Sequence, residues 1–95
     1  MKVIAIVTRK ADAKPEEFAP YLVEESNQAL KMYRDEHIRE IYSRDDGKGA
    51  ILVFECDNLT HAEELFSELP LAKVGLISAE FYGARPYRGI VQHIK

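Results

Sequence analysis

The stretch SELPLAKVGLISAEFYGARP, residues 67–86, decides the fold. It opens in a helix-like run and closes in a strand-like run over residues 76–82. Apolar side chains stand next to each other at positions 76–77 and again at positions 81–82, so polar residues do not alternate with them. Successive side chains of a strand point to opposite faces of a sheet. Both faces of this strand therefore need a cover.

The strand predicted over residues 50–56 has the same property, because Ile51-Leu52-Val53-Phe54 is apolar in both phases. Two helices bury one face of a sheet, and the other face would be an apolar patch larger than a monomer usually exposes. This pattern predicts a homodimer in which sheet packs against sheet, or a higher oligomer. The C-terminal arm, residues 84–95, is predicted to lie in the subunit contact. The alternative is that this arm covers the open face alone.

Turn and cap signals divide the chain into a β-α-β-β-α-β order. The predicted elements are a strand over 3–9, a helix over 12–35, a strand over 38–44, a hairpin turn over 45–49, a strand over 50–56, a helix from 57–60 to Pro70 and a strand over 76–82. This order is the ferredoxin-like α+β arrangement, in which two helices cover one face of a sheet. With 95 residues, the chain is predicted to be a single domain, 1–95.

Prolines and short polar side chains mark the helix boundaries. Pro15, followed by two acidic residues, predicts the first turn of helix 1. Thr60 and Glu63 have the spacing of a capping box, which predicts the start of helix 2. Pro70 is predicted to end that helix.

Charge and composition exclude several classes of partner. The net charge is -3 and the basic residues are scattered, so no nucleic-acid partner is predicted. No segment approaches the roughly 18 apolar residues of a membrane span, and the apolar residues 1–7 are interpreted as a first strand, not a signal peptide. The lone Cys56 excludes an intramolecular disulfide and suits a reducing, cytoplasmic location. The three histidines have no metal-ligand spacing, so no metal is predicted.

One acidic residue, Glu25, falls on the apolar side of helix 1 at 100° per residue. The apolar stripe there consists of Phe18, Leu22, Ala29, Met32 and Tyr33. A carboxylate on such a stripe loses hydration, which raises its pKa towards the value that a general base or acid needs at neutral pH. The alternative is that a basic side chain pairs with Glu25 structurally, the candidates being Arg9, His37 and Arg39.

Three further side chains are candidates for a ligand pocket. Glu80 interrupts an apolar strand, and it either lines the cavity of Glu25 or faces solvent at a sheet edge. Tyr42 offers a hydroxyl group to a ligand, and His37 lies at a helix-to-strand junction. The serines at positions 26 and 78 have no nearby base, so nucleophilic catalysis is not predicted.

Three segments, RDEHIREIY (34–42), VFEC (53–56) and LFSELPLAKVGLISAEFYGARP (65–86), resemble the muconolactone delta-isomerase family of dimeric α+β barrels. The resemblance spans about residues 3–86. It implies a ferredoxin-like protomer that forms dimers and larger assemblies, and a pocket between the sheet and helix 1. It also implies a role in aromatic hydrocarbon catabolism, through a proton transfer within an acidic lactone that uses neither metal nor cofactor.

The resemblance also implies roles for individual residues. The acidic stretch of helix 1 in the family corresponds to Glu24-Glu25, and Glu25 is then the candidate catalytic base. The arginine that opens strand 2 corresponds to Arg39, which would hold the carboxylate of a small acidic metabolite. His37 or Tyr42 would donate a hydrogen bond to the enolate oxygen, and Glu80 would line the pocket.

The chain departs from the family at two places, and two other functions share the fold. The family carries tryptophans around strand 2, where this chain has Ile38 and Tyr42, and YRGIVQHIK (87–95) replaces an acid-rich tail. The first alternative function is a non-enzymatic oligomeric module that binds a small molecule or only assembles. The second is a cofactor-free monooxygenase on the same barrel. The feature that separates them is whether Glu25 serves a cavity or is sealed by a salt bridge.

Overall fold

The computed structural model describes residues 1–91. Its strands are β1 (Lys2–Arg9), β2 (Ile38–Ser43), β3 (Gly49–Glu55) and β4 (Ile77–Ala84). Its helices are α1 (Pro15–Phe18), α2 (Leu22–Arg34), α3 (Leu59–Ser67), α4 (Pro70–Lys73) and α5 (Arg88–Val91), and a 3-10 turn (Ala19–Tyr21) joins α1 to α2. The strands form one antiparallel sheet in the order β2-β3-β1-β4. The predicted ferredoxin-like α+β fold is confirmed.

One face of the sheet carries the core. The register places Val3 opposite Phe54 and Ala5 opposite both Leu52 and Phe81, so these side chains share a face. They pack against buried residues of α2 and α3, namely Met32, Ala62, Leu65 and Phe66. Phe54 is fully buried, and Phe66 meets Phe81 edge to face at 5.6 Å between ring centroids. The helices therefore cover the face of the sheet to which Phe54 points, and we call it the covered face.

The first helix is not continuous, and the prediction of one helix over 12–35 was wrong. Pro20 lies in the 3-10 turn between α1 and α2, where it interrupts the α-helical hydrogen-bond pattern. The turn shifts the phase of α2 relative to α1. Phe18 and Met32 are buried as predicted, but Leu22 and Tyr33 are 51% and 56% exposed. The apolar stripe of helix 1 is therefore narrower than a regular projection indicates.

The second helix begins within the predicted cap segment, residues 57–60, but the details differ at both of its ends. The N-cap is Asn58, whose side chain accepts a hydrogen bond from the backbone N–H of His61, so the predicted capping box of Thr60 and Glu63 does not form. Pro70 is the first residue of the separate helix α4, a position that proline favours. The strands agree with their predictions to within two residues, the largest difference being that β4 ends at Ala84.

The predicted C-terminal arm falls partly outside the described residues. Within 84–91 the chain forms the short helix α5. The predictions for His93 and Ile94, and the packing predicted for the arm as a whole, concern residues that the structure does not describe or partners that it does not contain. Over residues 1–91, the helices are all too short or too polar to cross a membrane.

Candidate functional site

Glu25 is half-buried on α2 and accepts a hydrogen bond at Oε1 from the backbone N–H of Leu71, at 2.9 Å. Leu71 lies in the first turn of α4, whose N-cap residue, Leu69, has no side chain that can cap the helix. The first N–H groups of a helix lack partners within the helix, and a carboxylate is well placed to accept from them. Glu25 therefore supplies a capping interaction from a neighbouring helix.

The pKa of Glu25 is raised above its ordinary value of 4.5, chiefly because burial disfavours the charged carboxylate. The hydrogen bond from Leu71 acts in the opposite direction and is the smaller effect. Among residues 1–91, no ion pair joins Glu25 to Arg9, His37 or Arg39, the structural partners considered from the sequence. The carboxylate is thus desolvated without being sealed by a salt bridge.

A cleft of about 710 Å³ opens beside Leu71, at the end of the sheet where β1 leaves it. Its lining residues are Thr8, Arg9, Lys10, Ala11, Ala13, Pro15, Phe18, Leu22, Gly47, Lys48 and Leu71, and we call it the sheet-end cleft. Glu25 is not among them, but it bonds to Leu71, and Leu22 lies three residues before it on α2. The carboxylate is therefore linked to the cleft wall through its hydrogen bond with Leu71.

The turn between β2 and β3 forms one side of this cleft. Gly47 has φ of 72°, a left-handed conformation that suits glycine, as the predicted hairpin turn requires. A Cβ added to Gly49 would lie 1.9 Å from the carbonyl oxygen of Val7, so β1 and β3 approach each other here more closely than any side chain allows. The carbonyl oxygen of Lys48 accepts a hydrogen bond from the backbone N–H of Arg9, at 2.9 Å. The turn is therefore held beside the end of β1.

His37 lies in a second, smaller cleft of about 370 Å³, lined by Met1, His37, Glu55, Cys56, Asp57 and His61. The rings of His37 and His61 meet edge to face with centroids 5.5 Å apart. Nδ1 of His61 accepts from the backbone N–H of Asp57 at 3.0 Å, and burial raises the pKa of the Cys56 thiol. In the part of the chain that the structure describes, no three His, Cys, Asp or Glu side chains are placed to hold a metal ion.

Tyr42 and Glu80 lie on the face of the sheet opposite to α2, where they belong to two rows of residues that cross all four strands. The first row is Tyr42, Ile51, Ile6 and Glu80, and the second is Glu40, Val53, Ile4 and Tyr82. The hydroxyl of Tyr42 donates to Glu40 and that of Tyr82 donates to Glu80. This open face is thus apolar in the middle and polar at its corners, as protein interfaces are in core and rim.

The residues predicted for one pocket therefore occupy separate places. Glu25 lies in the helical layer, His37 in the smaller cleft, and Tyr42 and Glu80 on the open face. Arg39 is exposed on edge strand β2, at the bulge where the register with β3 shifts. The structure does not bring Glu80 and Glu25 into one cavity, because the sheet separates them.

Sequence reasoning missed the sheet-end cleft and the basic residues around it. Lys48 belongs to a predicted hairpin turn and Arg9 to the end of a predicted strand, and they are 39 positions apart. A signal was present, because a hairpin whose second strand pairs antiparallel with β1 must place its turn beside the end of β1. The pairing of β1 with β3 follows from the ferredoxin-like order, so the neighbourhood of Arg9 and Lys48 was open to prediction.

Neither a protein-family model nor a curated protein sequence matches the chain. Solved structures do match. Muconolactone isomerase superposes with a TM-score of 0.74 at 17% identity, covering 92% of this chain and 91% of that chain. The 5-chloro-2-hydroxyhydroquinone dehydrochlorinase from Burkholderia phenoliruptrix AC1100, solved with 2,5-dihydroxybenzoquinone, gives 0.72 at 11% identity, covering 94% and 98%. The resemblance inferred from the sequence is confirmed in structure, and the chain has the fold of muconolactone isomerase.

Proposed function

We propose that the protein is a small-molecule enzyme of the muconolactone isomerase kind, which moves a proton within an acidic lactone or a related carbonyl compound. The observation that carries the proposal is the state of Glu25, a half-buried carboxylate with a raised pKa that is hydrogen-bonded to Leu71 in the wall of a cleft. Its fold is shared with two enzymes that act on small organic molecules, as their names state. Fold alone does not determine function, so the weight rests on Glu25.

The proposed reaction needs one carboxylate and little else. A double-bond shift in a lactone removes a proton from a carbon near the carbonyl group and returns a proton to another carbon of the conjugated system. A base with a raised pKa takes this proton from one carbon and delivers a proton to the other, and exchange with solvent between the two steps is what deuterium labelling detects. Glu25 is the proposed base, because Oε1 is held by Leu71 and the hydrogen bonds of residues 1–91 leave Oε2 without a partner.

The other predicted roles remain part of this proposal. Arg39 would hold a substrate carboxylate, and His37 or Tyr42 would donate to the enolate oxygen. Each needs a contribution across the dimer or a movement of the chain, because these residues lie away from Glu25 in the single protomer. Glu80 and Tyr42 would then lie at the contact between the two sheets, which we propose as the homodimer interface because its centre consists of Ile4, Ile6, Ile51 and Val53.

The alternative is a non-enzymatic module that binds a small molecule, and one observation favours it. The hydrogen bond from Leu71 gives Glu25 a structural task as the cap of α4. A capping carboxylate needs no catalytic role to explain its place in the fold.

Deuterium exchange separates these two functions. Muconolactone is incubated with the protein in D₂O, and the replacement of its ring protons by deuterium, together with the shift of the ring double bond, is followed by ¹H NMR. We expect exchange with the parent protein and a fall of at least about 100-fold in Glu25→Gln, since a positioned base contributes 10²–10⁴-fold. Gln keeps an oxygen that accepts from Leu71, so the fold should survive.

Glu24→Gln is the matched control, because Glu24 is the exposed acidic neighbour on the same helix. It should exchange protons at the parent rate. Exchange that is equal in the parent and in Glu25→Gln would remove Glu25 as the base. A folded parent protein that binds the lactone without exchange would favour the binding module.

A further inference from the structure

The sheet-end cleft is positively charged although the chain as a whole is acidic. Three cationic residues, Arg9, Lys10 and Lys48, line it, and its other lining residues carry no charge. The chain has a net charge of -3. None of the three takes part in an ion pair with another residue of the described range, 1–91, whereas nearby Arg44 pairs with Asp46 at 2.5 Å. The cleft thus gathers cations that the protein does not neutralise.

Two arginines hold the cationic residues in place. The guanidinium of Arg9 donates a hydrogen bond to the carbonyl oxygen of Gly47. The backbone N–H of Arg9 donates to the carbonyl oxygen of Lys48. Arg44 joins the same turn to β1 by donating to Oγ1 of Thr8 at 2.8 Å. Arg9, at the end of β1, is therefore held against the turn that carries Lys48, and a site that is ordered before binding costs less to fill.

Two acidic side chains near the cleft, Asp46 and Glu17, are already engaged, and no acidic residue lines the cleft itself. Asp46 accepts from Arg44 and from the backbone N–H of Lys48, which holds the pKa of Asp46 below its ordinary value. Glu17 accepts from the backbone N–H of Lys14 at 2.6 Å. An anion in the cleft would therefore meet no carboxylate among the lining residues, and the carboxylate of Asp46 beside them is already paired.

The opposite wall of the cleft is apolar. The Arg9 guanidinium lies 5.9 Å from the centroid of the Phe18 ring, and Leu22 and Leu71 extend the same surface. Phe18 and Leu71 are buried, while Leu22 is 51% exposed and is open to a ligand. A flat ring would lie against Leu22 and Phe18 while a charged group reached the turn.

We propose that the sheet-end cleft binds a ring-bearing organic carboxylate, with the carboxylate between Arg9 and Lys48 and the ring against Phe18 and Leu22. A guanidinium matches a carboxylate with two parallel hydrogen bonds, and an ammonium adds a second charge. This inference deepens the proposed function. The claim that the ligand is a substrate rests on that function. It assigns the anchoring of the carboxylate to Arg9 and Lys48 in place of Arg39.

A phosphate group suits the cleft less well. Phosphate sites use backbone N–H groups at the start of a helix. The helix beside this cleft, α1, has four residues, begins with Pro15 and carries two acids in its first turn. The cleft therefore lacks the backbone donors that would add to the binding of a phosphate, and its apolar wall suits a ring that carries a carboxylate.

A titration followed by ¹H–¹⁵N NMR tests the proposal with benzoate as the probe, and with benzamide as its neutral counterpart. Benzoate should shift the backbone amide signals of Thr8, Gly47 and Lys48 in a saturable way. Benzamide should bind at least about tenfold more weakly, because it lacks the charge. Inorganic phosphate should not compete at the same concentration. Equal binding of benzoate and benzamide, or displacement of benzoate by equimolar phosphate, would overturn the proposal.

Single substitutions locate the contact. Arg9→Met and Lys48→Met should each raise the dissociation constant of benzoate about tenfold or more, since each removes one charged donor. Arg34→Met, a change of an exposed cation on α2, is the control and should bind as the parent does. Lys48 lies in an exposed turn, so its substitution tests the site even if Arg9→Met does not fold. Parent-like binding by Lys48→Met, or weaker binding by Arg39→Met alone, would overturn the assignment.

The outcomes for binding and for catalysis are distinguishable. Benzoate binding that depends on Arg9 and Lys48, without any exchange of lactone protons, would keep this site and remove the proposed function. Exchange that persists in Arg9→Met and Lys48→Met at unchanged KM would keep the proposed function and remove this site.

Discussion

The two faces of the sheet use the same strands for different purposes. The covered face consists of residues that are nearly inaccessible, such as Val3, Ala5 and Phe54. The open face presents Ile4 and Ile6 half-buried in the protomer, between Glu–Tyr pairs on the edge strands. Successive side chains of each strand point to opposite faces. A shift of one residue in register would therefore exchange the residues of the covered face with those of the open face. The covered face therefore stabilises the protomer, and the open face is available to a partner.

The largest effect is expected on the covered face. Phe54→Ala should lower the free energy of unfolding by about 3–5 kcal/mol, because it leaves a cavity in a fully packed core. Urea denaturation measures this loss. Val53→Ala, the neighbouring change on the open face, should cost less and should depend on protein concentration, because Val53 would stabilise the dimer. Equal and concentration-independent losses would contradict the division between the faces.

Ile6→Lys should dissociate the proposed homodimer, because it places a charge in the apolar centre of the open face. The parent should sediment as a dimer or larger assembly at micromolar concentration, and the variant as a folded chain of 10.9 kDa. The dimer dissociation constant should rise at least about 100-fold. Ser78→Lys, at the exposed margin of the same face, is the control and should change assembly little. A parent protein that is already monomeric would contradict the proposal that the open face binds a second copy of the chain.

A smaller effect is expected where the helical layer meets the sheet, because two equivalent junctions differ in one residue. After α2, Glu36 has φ of 67°, and His37 donates from its backbone N–H to Met32. After α4, Gly75 has φ of 76°, and Leu76 donates in the same way to Leu71. This left-handed position favours glycine. Glu36→Gly should therefore stabilise the protein by about 1 kcal/mol in thermal or urea unfolding.

The counterpart at the second junction is Gly75→Ala, which should destabilise by about 1 kcal/mol, since no atom lies within 4 Å and only the backbone conformation opposes the change. If Glu36→Gly lowered stability, Glu36 would have a favourable contact that outweighs its backbone strain.

The smallest effect concerns the pH dependence of stability. Because burial raises the pKa of Glu25 in the folded state, the folded protein binds the proton more tightly than the unfolded chain. The contribution of this group is fully present below the unfolded pKa and is lost as pH rises through the folded pKa. The side chain of Glu25→Gln cannot ionise, so the variant does not lose this stability as pH rises. The difference in free energy of unfolding, variant minus parent, should therefore be more positive at pH 8 than at pH 4. Glu24→Gln is the control, and a relative stability that falls with pH would show that the hydrogen bond from Leu71 outweighs burial.

The sequence predicted the order of elements and the two-phase apolar strands, because both depend on local signals and alternation. It did not predict the break at Pro20, although that proline was visible, because a regular projection assumes one unbroken helix. Glu25 was correctly identified as desolvated, but its partner is a backbone N–H of α4, which no pattern of side chains reveals. Arg9 and Lys48 became neighbours only through strand pairing. Contacts made by the backbone or across the sheet were thus the ones that local reasoning did not reach.

The central claim is that Glu25 is a desolvated carboxylate that serves the sheet-end cleft. The most direct measurement is the titration of its side-chain carboxyl carbon by ¹³C NMR, in the free protein and with a saturating ring carboxylate in the cleft. We expect a midpoint above 4.5 that rises further when the anion is bound, because a second negative charge nearby disfavours ionisation. A midpoint at or below 4.5 that does not respond to the ligand would contradict it.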